Sequence, residues 1–179
     1  MDLSWRFDRW WEELPASPTD LGTVEGLVLR PPGGGTGARE LVGSVRVSLE
    51  AGIEGDRWSE DEERLGADHV SLVNVHVLSS VAGEDPDRRA QSGDNLQVDL
   101  DLTEENLPVG SLLEIGTAVL EVSPQPHQPC AKFHDRYGEL AVKRVLRANR
   151  RGRRGRGVLC TVRQAGAIRV GDEIRVRRP

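Results

Sequence analysis

The sequence predicts a mainly β protein of barrel type, with a few short helices and an amphipathic helix at its N-terminus. Short apolar runs, several alternating with polar residues, arrive about every dozen residues, which is the pattern of many short strands. The chain carries 20 glycines and 10 prolines in 179 residues, enough to separate such runs by turns. Its length suits one domain with a substantial core and is short for two.

Taken in order, Leu3, Phe7, Trp10, Trp11 and Leu14 recur at helical spacing, with Asp2 or Ser4 as caps and Pro15 as the stop. The tryptophans Trp5, Trp10 and Trp11 offer an interaction surface or, the simpler expectation, an aromatic face packed on the domain. Residues 1–22 are therefore read as an N-terminal helix and linker and residues 23–179 as the main domain. Strands are expected over 23–29 and 41–47, joined by the glycine-rich loop 31–35, and over 70–73. Residues 75–81 fit a short helix or a continuation of that strand, and 96–102 has the strand period, followed by a turn or helical cap at 103–106. Residues 112–115 and 118–122 form a hairpin about Gly116-Thr117, 137–148 has helical spacing, and 158–162 and 174–176 close the set. The glycine run lacks the Gly-Lys-Ser/Thr ending of a phosphate loop and leads into a strand, so it reads as a connection.

Hydrophobic residues make up 37% of the chain, and no run of about 18 apolar residues or basic, apolar leader is present, so a soluble cytoplasmic protein with no membrane partner is expected. The two cysteines, Cys130 and Cys160, read as thiols. The net charge of -5 is uneven: residues 140–179 hold 13 basic and 2 acidic side chains, against 11 and 27 in the first 139. Such a split marks a local anion site or a basic arm lying on an acidic body.

The densest chemistry lies in Pro126-His127-Gln128-Pro129-Cys130-Ala131-Lys132-Phe133-His134. A thiolate is a strong nucleophile and a soft-metal ligand, and the prolines forbid regular structure here. Lys132 is one of two lysines in an arginine-rich chain and stands two residues from the thiol. His127, Cys130 and His134 with Cys160 have the residue types of a zinc site, but structural zinc ligands come in two tight pairs and these do not. His69 and His76 read as ordinary strand or helix residues. The run Arg150 to Arg156 suits a nucleic-acid patch or a phosphate clamp, and its lack of interleaved aromatics in an acidic chain argues against nucleic acid.

In order along the chain, Gly55-Asp56-Arg57, Gly93-Asp94-Asn95-Leu96, Leu107-x2-Gly110 with Ile115-Gly116, Pro129-Cys130-x-Lys132, Arg156-Gly157 and Gly171-Asp172 resemble a MOSC domain, the family named for the C-terminal domain of molybdenum cofactor sulfurase. The resemblance spans roughly residues 23 to 176. It implies a barrel-type β fold and a single cysteine, Cys130, that carries sulfur or ligates molybdenum. It also implies a molybdenum-pterin cofactor beside that cysteine, with N-hydroxylated small-molecule substrates reduced at the metal. By position Arg57, Asn95, Lys132 and Arg156 would line the cofactor cleft, with Cys130 and Lys132 as the catalytic pair. The chain departs from the family pattern in having Gly-Asp-Asn for Gly-Glu-Asn, Trp58 where a histidine is common and His127 where an arginine is expected. Without an aminotransferase-like or iron-sulfur domain, pyridoxal phosphate is not expected, and a separate electron-donor or sulfur-donor protein is. The alternatives are a sulfur carrier using a Cys130 persulfide and a non-enzymatic nucleic-acid or protein-binding module using the Arg150 to Arg156 arm.

Overall fold

The computed structural model describes residues 4–35, 37–60 and 69–179. Helix α1 (Ser4–Glu12) leads into β1 (Leu21–Leu29), β2 (Glu40–Val42), β3 (Ser44–Ser48), β4 (Gly52–Ile53) and a 3-10 turn (Arg57–Glu60). β5 (Val70–Asn74), α2 (Val75–Ala82), α3 (Pro86–Ala90) and β6 (Leu96–Asp99) follow. The hairpin β7 (Leu112–Ile115) and β8 (Ala118–Val122), helix α4 (Ala131–Arg150), β9 (Val158–Gln164), β10 (Gly166–Arg169) and β11 (Glu173–Arg177) complete the chain.

Seven strands close into a barrel in the order β11-β7-β8-β9-β5-β6-β1, and β1 pairs back onto β11 through Leu21 with Arg175 and Thr23 with Glu173. β2 extends from the far end of β1, and β10, β3 and β4 form a separate small sheet. The neighbours are antiparallel except β5 and β6, which are parallel and so need a crossover, supplied by α2 and α3. Closure leaves few unpaired edges and buries one face of every strand. Leu27, Leu72, Leu96, Leu113, Ile115, Leu120, Cys160, Ile168 and Ile174 meet inside.

The expected barrel is present, with differences that have local causes. The single strand expected over 41–47 is split at Gly43: Val42 stays on β1, while Val45 and Val47 turn inward beside β10 and β4. The strand expected over 96–102 loses its ladder after Asp99, yet Leu100 and Leu102 stay buried because Asn74 Nδ2 binds the Leu100 carbonyl and Asp101 N binds Pro18. Residues 75–81 are helical, since the Asn74 side chain accepts from His76 N and Val77 N and caps α2. β4, β10 and α3 were too short to show a period.

Helix α4 begins six residues earlier than its spacing suggests and is broken at Gly138 (φ 83°, ψ 173°), a conformation open essentially to glycine. The break makes residues 131–137 a separate segment anchored by Phe133, which is 3% exposed and meets Tyr137 edge-on. Helix α1 lays Phe7 and Trp10 against Val77 of α2 and Ala148 of α4, so its aromatic face packs on the domain. Residues 1–3, and with them Leu3 and the Asp2 cap, lie outside the described residues, as does the side chain of Trp5. Among the described residues no helix is long and apolar enough to cross a membrane.

Candidate functional site

A cavity of about 420 Å³ opens at one end of the barrel between the 3-10 turn, the loop before β6, the 127–132 segment and the approach to β9. Two Gly-Asp turns build its frame. In the first, Asp56 is 1% exposed and accepts from Arg30 N (2.9 Å), Arg30 Nε and NH2, Trp58 N and Asn95 Nδ2. The shared carboxylate locks the end of β1 to the 3-10 turn and so fixes where Arg57 starts. In the second, Asp94 is fully buried and takes Arg156 NH1 at 2.6 Å, while Arg156 NH2 donates to the Ser92 carbonyl.

Arg156 is the tie between the barrel and the thiol-bearing segment. Its guanidinium stacks over Phe133 at 5.0 Å, its backbone N donates to Asn149 Oδ1, and Asn149 Nδ2 donates to the His127 carbonyl. Gly157 next to it has φ 94°, and a Cβ there would stand 1.9 Å from the Leu72 carbonyl oxygen, so only glycine lets this corner lie against β5. Cys130 is the N-cap of α4 with extended backbone (φ -99°, ψ 174°) and makes no side-chain cap bond, so its sulfur is not committed to the helix.

The five residues that the resemblance assigns to the cofactor cleft and the catalytic pair, Cys130, Arg57, Asn95, Lys132 and Arg156, line this cavity, whereas His134 and Cys160 do not. Their situations differ. Cys130 and Lys132 are exposed at the mouth, and Arg57 NH1 reaches the Gly35 carbonyl at 2.9 Å. Asn95 is buried, with Oδ1 accepting from Ser71 N and Oγ and Nδ2 donating to Val28 O and Asp56. Its amide is thus fully engaged and braces the frame; it has no donor left for a ligand. Arg156 Nε is buried and has no hydrogen-bond partner.

Sequence reasoning missed Arg30, Arg39, Arg136 and His69, which share the cavity. Arg30 and Arg39 flank the glycine-rich loop and nothing in their local spacing marks them, whereas Asp56 and Asp94 stood inside the quoted turns. His69, read as an ordinary residue, is 3% exposed on the cavity wall, while His76 sits elsewhere with Nε2 3.2 Å from Asp99 Oδ1. The zinc set does not assemble: Cys160 faces the barrel core, and no cluster of three or more metal-binding side chains occurs among the described residues.

Among the described residues six cations, Arg30, Arg39, Arg57, Lys132, Arg136 and Arg156, and one carboxylate, Asp94, line the cavity. Burial, then the charges of Arg136, Arg57 and Arg30, pushes Arg39 down to about 10, and burial and Arg30 lower Arg57 against the pull of Asp56. Burial, followed by Arg156, pushes His127 down to about 3 although Asp94 Oδ1 is 3.8 Å from its Nδ1. His127 is therefore neutral at pH 7, and its Nδ1 has no hydrogen-bond partner. The cavity as a whole is short of negative charge. A second cavity of about 370 Å³ lies beyond the 124–128 segment and shares His127 and Leu159, but it has one cation, Arg154, and no thiol.

The arginine run is not a solvated arm. Arg151 pairs with Asp8, Arg153 stacks over Trp11 at 5.2 Å, Arg154 NH1 donates to the Leu107 carbonyl at 2.6 Å, and Arg156 is buried on Asp94. Gly152 and Gly155 allow these close approaches. Arg151 and Arg153 fasten the domain to its N-terminal helix and Arg154 and Arg156 bind within the domain, so the run is basic without offering a row of uncommitted phosphate contacts.

A family model described as the MOSC domain matches residues 67–175. The fold is similar to the crystal structure of the YuaD protein from Bacillus subtilis, with a TM-score of 0.65 at 21% identity over 89% of this chain and 97% of that one. It is also similar to YiiM from Escherichia coli, at a TM-score of 0.57 and 20% identity over 88% and 70% of the two chains. YiiM from Geobacillus stearothermophilus gives 0.59 and 19%, over 88% and 75%. At these identities the likeness establishes a shared fold. No curated protein sequence matches the chain. With more than half of its length covered by the family model, the ordered motifs in place and the barrel closed, the chain belongs to the MOSC domain family, a family associated with molybdenum cofactor binding.

Proposed function

We propose that the chain binds a molybdenum-pterin cofactor beside Cys130, with the Cys130 thiolate as metal ligand, and reduces N-hydroxylated substrates there with electrons from a separate protein. The observation that carries this reading is one cavity of about 420 Å³ shared by an exposed thiol and six cationic side chains. The donor set suits the group: a soft thiolate matches molybdenum, and arginine and lysine match a phosphate. Arg156 Nε and His127 Nδ1 are buried polar atoms without partners, which a polar ligand would satisfy.

When bound, the cofactor supplies two-electron redox chemistry at the metal. The chain's residues do the rest. Arg57 and Lys132 would meet the anionic part of the ligand, and negative charge between Arg39, Arg57 and Arg136 relieves the repulsion that burial sharpens. Asp56, Asp94 and Asn95 hold the two turns, so that Arg30 and Arg156 are already fixed in place before a ligand binds. His127, kept neutral, offers a hydrogen bond without adding a further positive charge.

The test is purification from a cofactor-competent host. Molybdenum and pterin should accompany the native protein, Cys130→Ser should lose the metal while keeping its fold, and Arg57→Ala with Lys132→Ala should retain less pterin. Native protein without molybdenum, prepared beside a fully loaded control molybdoenzyme, overturns the reading.

The exposure of Cys130 at the cavity mouth also favours a second reading, a sulfur carrier in which the thiolate takes up sulfane sulfur as a persulfide for transfer to a partner. Mass spectrometry after incubation with a sulfane donor should then find an adduct of about 32 Da confined to Cys130. An unmodified thiol excludes it.

A further inference from the structure

We propose that the groove between α1 and α4 is a docking site for an acidic segment of a partner protein. The groove encloses about 610 Å³, within the range of roughly 300–1,000 Å³ of binding clefts, and is distinct from the cavity beside Cys130. Arg6 and Arg9 come from α1, and Lys143, Arg144 and Arg147 from α4, with Glu13 as the carboxylate among the described lining residues.

The side chains are arranged to bind. Arg144 stacks over Trp10 and Arg147 over Phe7, each at 5.3 Å, and among the described residues neither forms an ion pair. Stacking orients a guanidinium without consuming its in-plane N–H donors. Arg9 and Lys143 pair with Glu13 and Glu139 along their own helices, but these pairs are mostly exposed and are readily exchanged for an incoming carboxylate. Leu140 is 62% exposed at the rim and supplies an apolar foothold.

The occupant follows from charge and shape. Leu140 to Arg147 spans about 10 Å of helix, so cations distributed over this length and along α1 exceed what one carboxylate can serve. The recess is concave, unlike a bilayer surface. Its aromatics, Phe7 at 6% and Trp10 at 7% exposure, are covered and present no face for a base or a lipid tail. A segment bearing several carboxylates and an apolar side chain to meet Leu140 satisfies all of these features.

The experiment measures anisotropy of a labelled peptide of repeated Glu-Glu-Leu units against the full chain at low and physiological salt. Saturable, salt-sensitive binding is expected, weakened about tenfold or more by Leu140→Glu and by Arg144→Glu/Arg147→Glu. Leu140→Glu keeps the test valid if the double variant fails to fold, because the site is exposed. Leu49→Glu introduces the same charge at an exposed site elsewhere and should bind as the native chain does. Equal weakening by Leu49→Glu, no peptide binding at low salt, or tighter binding to phosphatidylserine vesicles or single-stranded DNA overturns the proposal. So does a native dimer that Leu140→Glu dissociates, because a second copy would then be the occupant.

Discussion

Arg156 NH1 stands 2.6 Å from Asp94 Oδ1, and both side chains are buried, at 7% and 0% exposure. The pair joins the turn before β6 to the approach to β9, and through the stack on Phe133 it reaches the segment that carries Cys130. Removing one partner strands the other charge. Arg156→Met should therefore destabilise the fold by about 3–5 kcal/mol. Asp94→Asn/Arg156→Met should recover part of the loss, since two neutral groups replace an orphaned ion. Urea unfolding of the cycle measures this, and a loss in the double variant equal to the sum of the Asp94→Asn and Arg156→Met losses would show that the pair is not coupled.

Gly138 makes a different demand. Its φ of 83° and ψ of 173° are reserved for glycine, while a Cβ added there meets nothing within 4 Å. Gly138→Ala and Gly138→Ser should cost about 1–3 kcal/mol each and cost alike, because the penalty is in the backbone. A ranking by side-chain size in thermal or urea unfolding would contradict this.

What the sequence made legible was whatever repeats or stands in a local motif. Strand alternation announced the barrel, and residues of the Gly55-Asp56-Arg57 and Gly93-Asp94-Asn95 turns line one cavity with Cys130. What it hid was long-range pairing. Arg30 meets Asp56 across 26 positions and Arg156 meets Asp94 across 62, so nothing local showed that two of the basic groups were already spent on carboxylates. Asn95 illustrates the same limit: its motif placed it at the cavity, but only the fold shows its amide consumed by Ser71, Val28 and Asp56. The break at Gly138 hid the start of α4 because residues 131–137 contribute too few apolar positions to display a period.

His127 should make the protein acid-sensitive. Its folded pKa of about 3 lies below the ordinary 6.5, so between these values the unfolded chain binds the extra proton. Stability then rises with pH in this window and is lost as pH falls from 6.5 toward 3, by up to about 1.4 kcal/mol per unit. In His127→Gln this contribution is absent. Urea titrations between pH 6 and 4 should show a shallower loss in the variant than in the native chain, and parallel slopes would mean that His127 is protonated in the fold.

The two thiols separate the site from the core. Cys130 is exposed on the cavity and Cys160 is buried between strands, so a disulfide-based thiol reagent should modify Cys130 rapidly in the native protein and Cys160 only on unfolding. Cys130→Ser should abolish the fast phase and change stability by no more than about 0.5 kcal/mol, as expected of an exposed position. Pyrophosphate, drawn to the six cations around the cavity, should slow the fast phase by covering the sulfur, and more weakly at high salt. Arg57→Ala/Lys132→Ala should reduce that protection while leaving labelling without pyrophosphate fast. Protection that persists undiminished in the double variant would place the anion away from Cys130 and separate the thiol from the basic cavity.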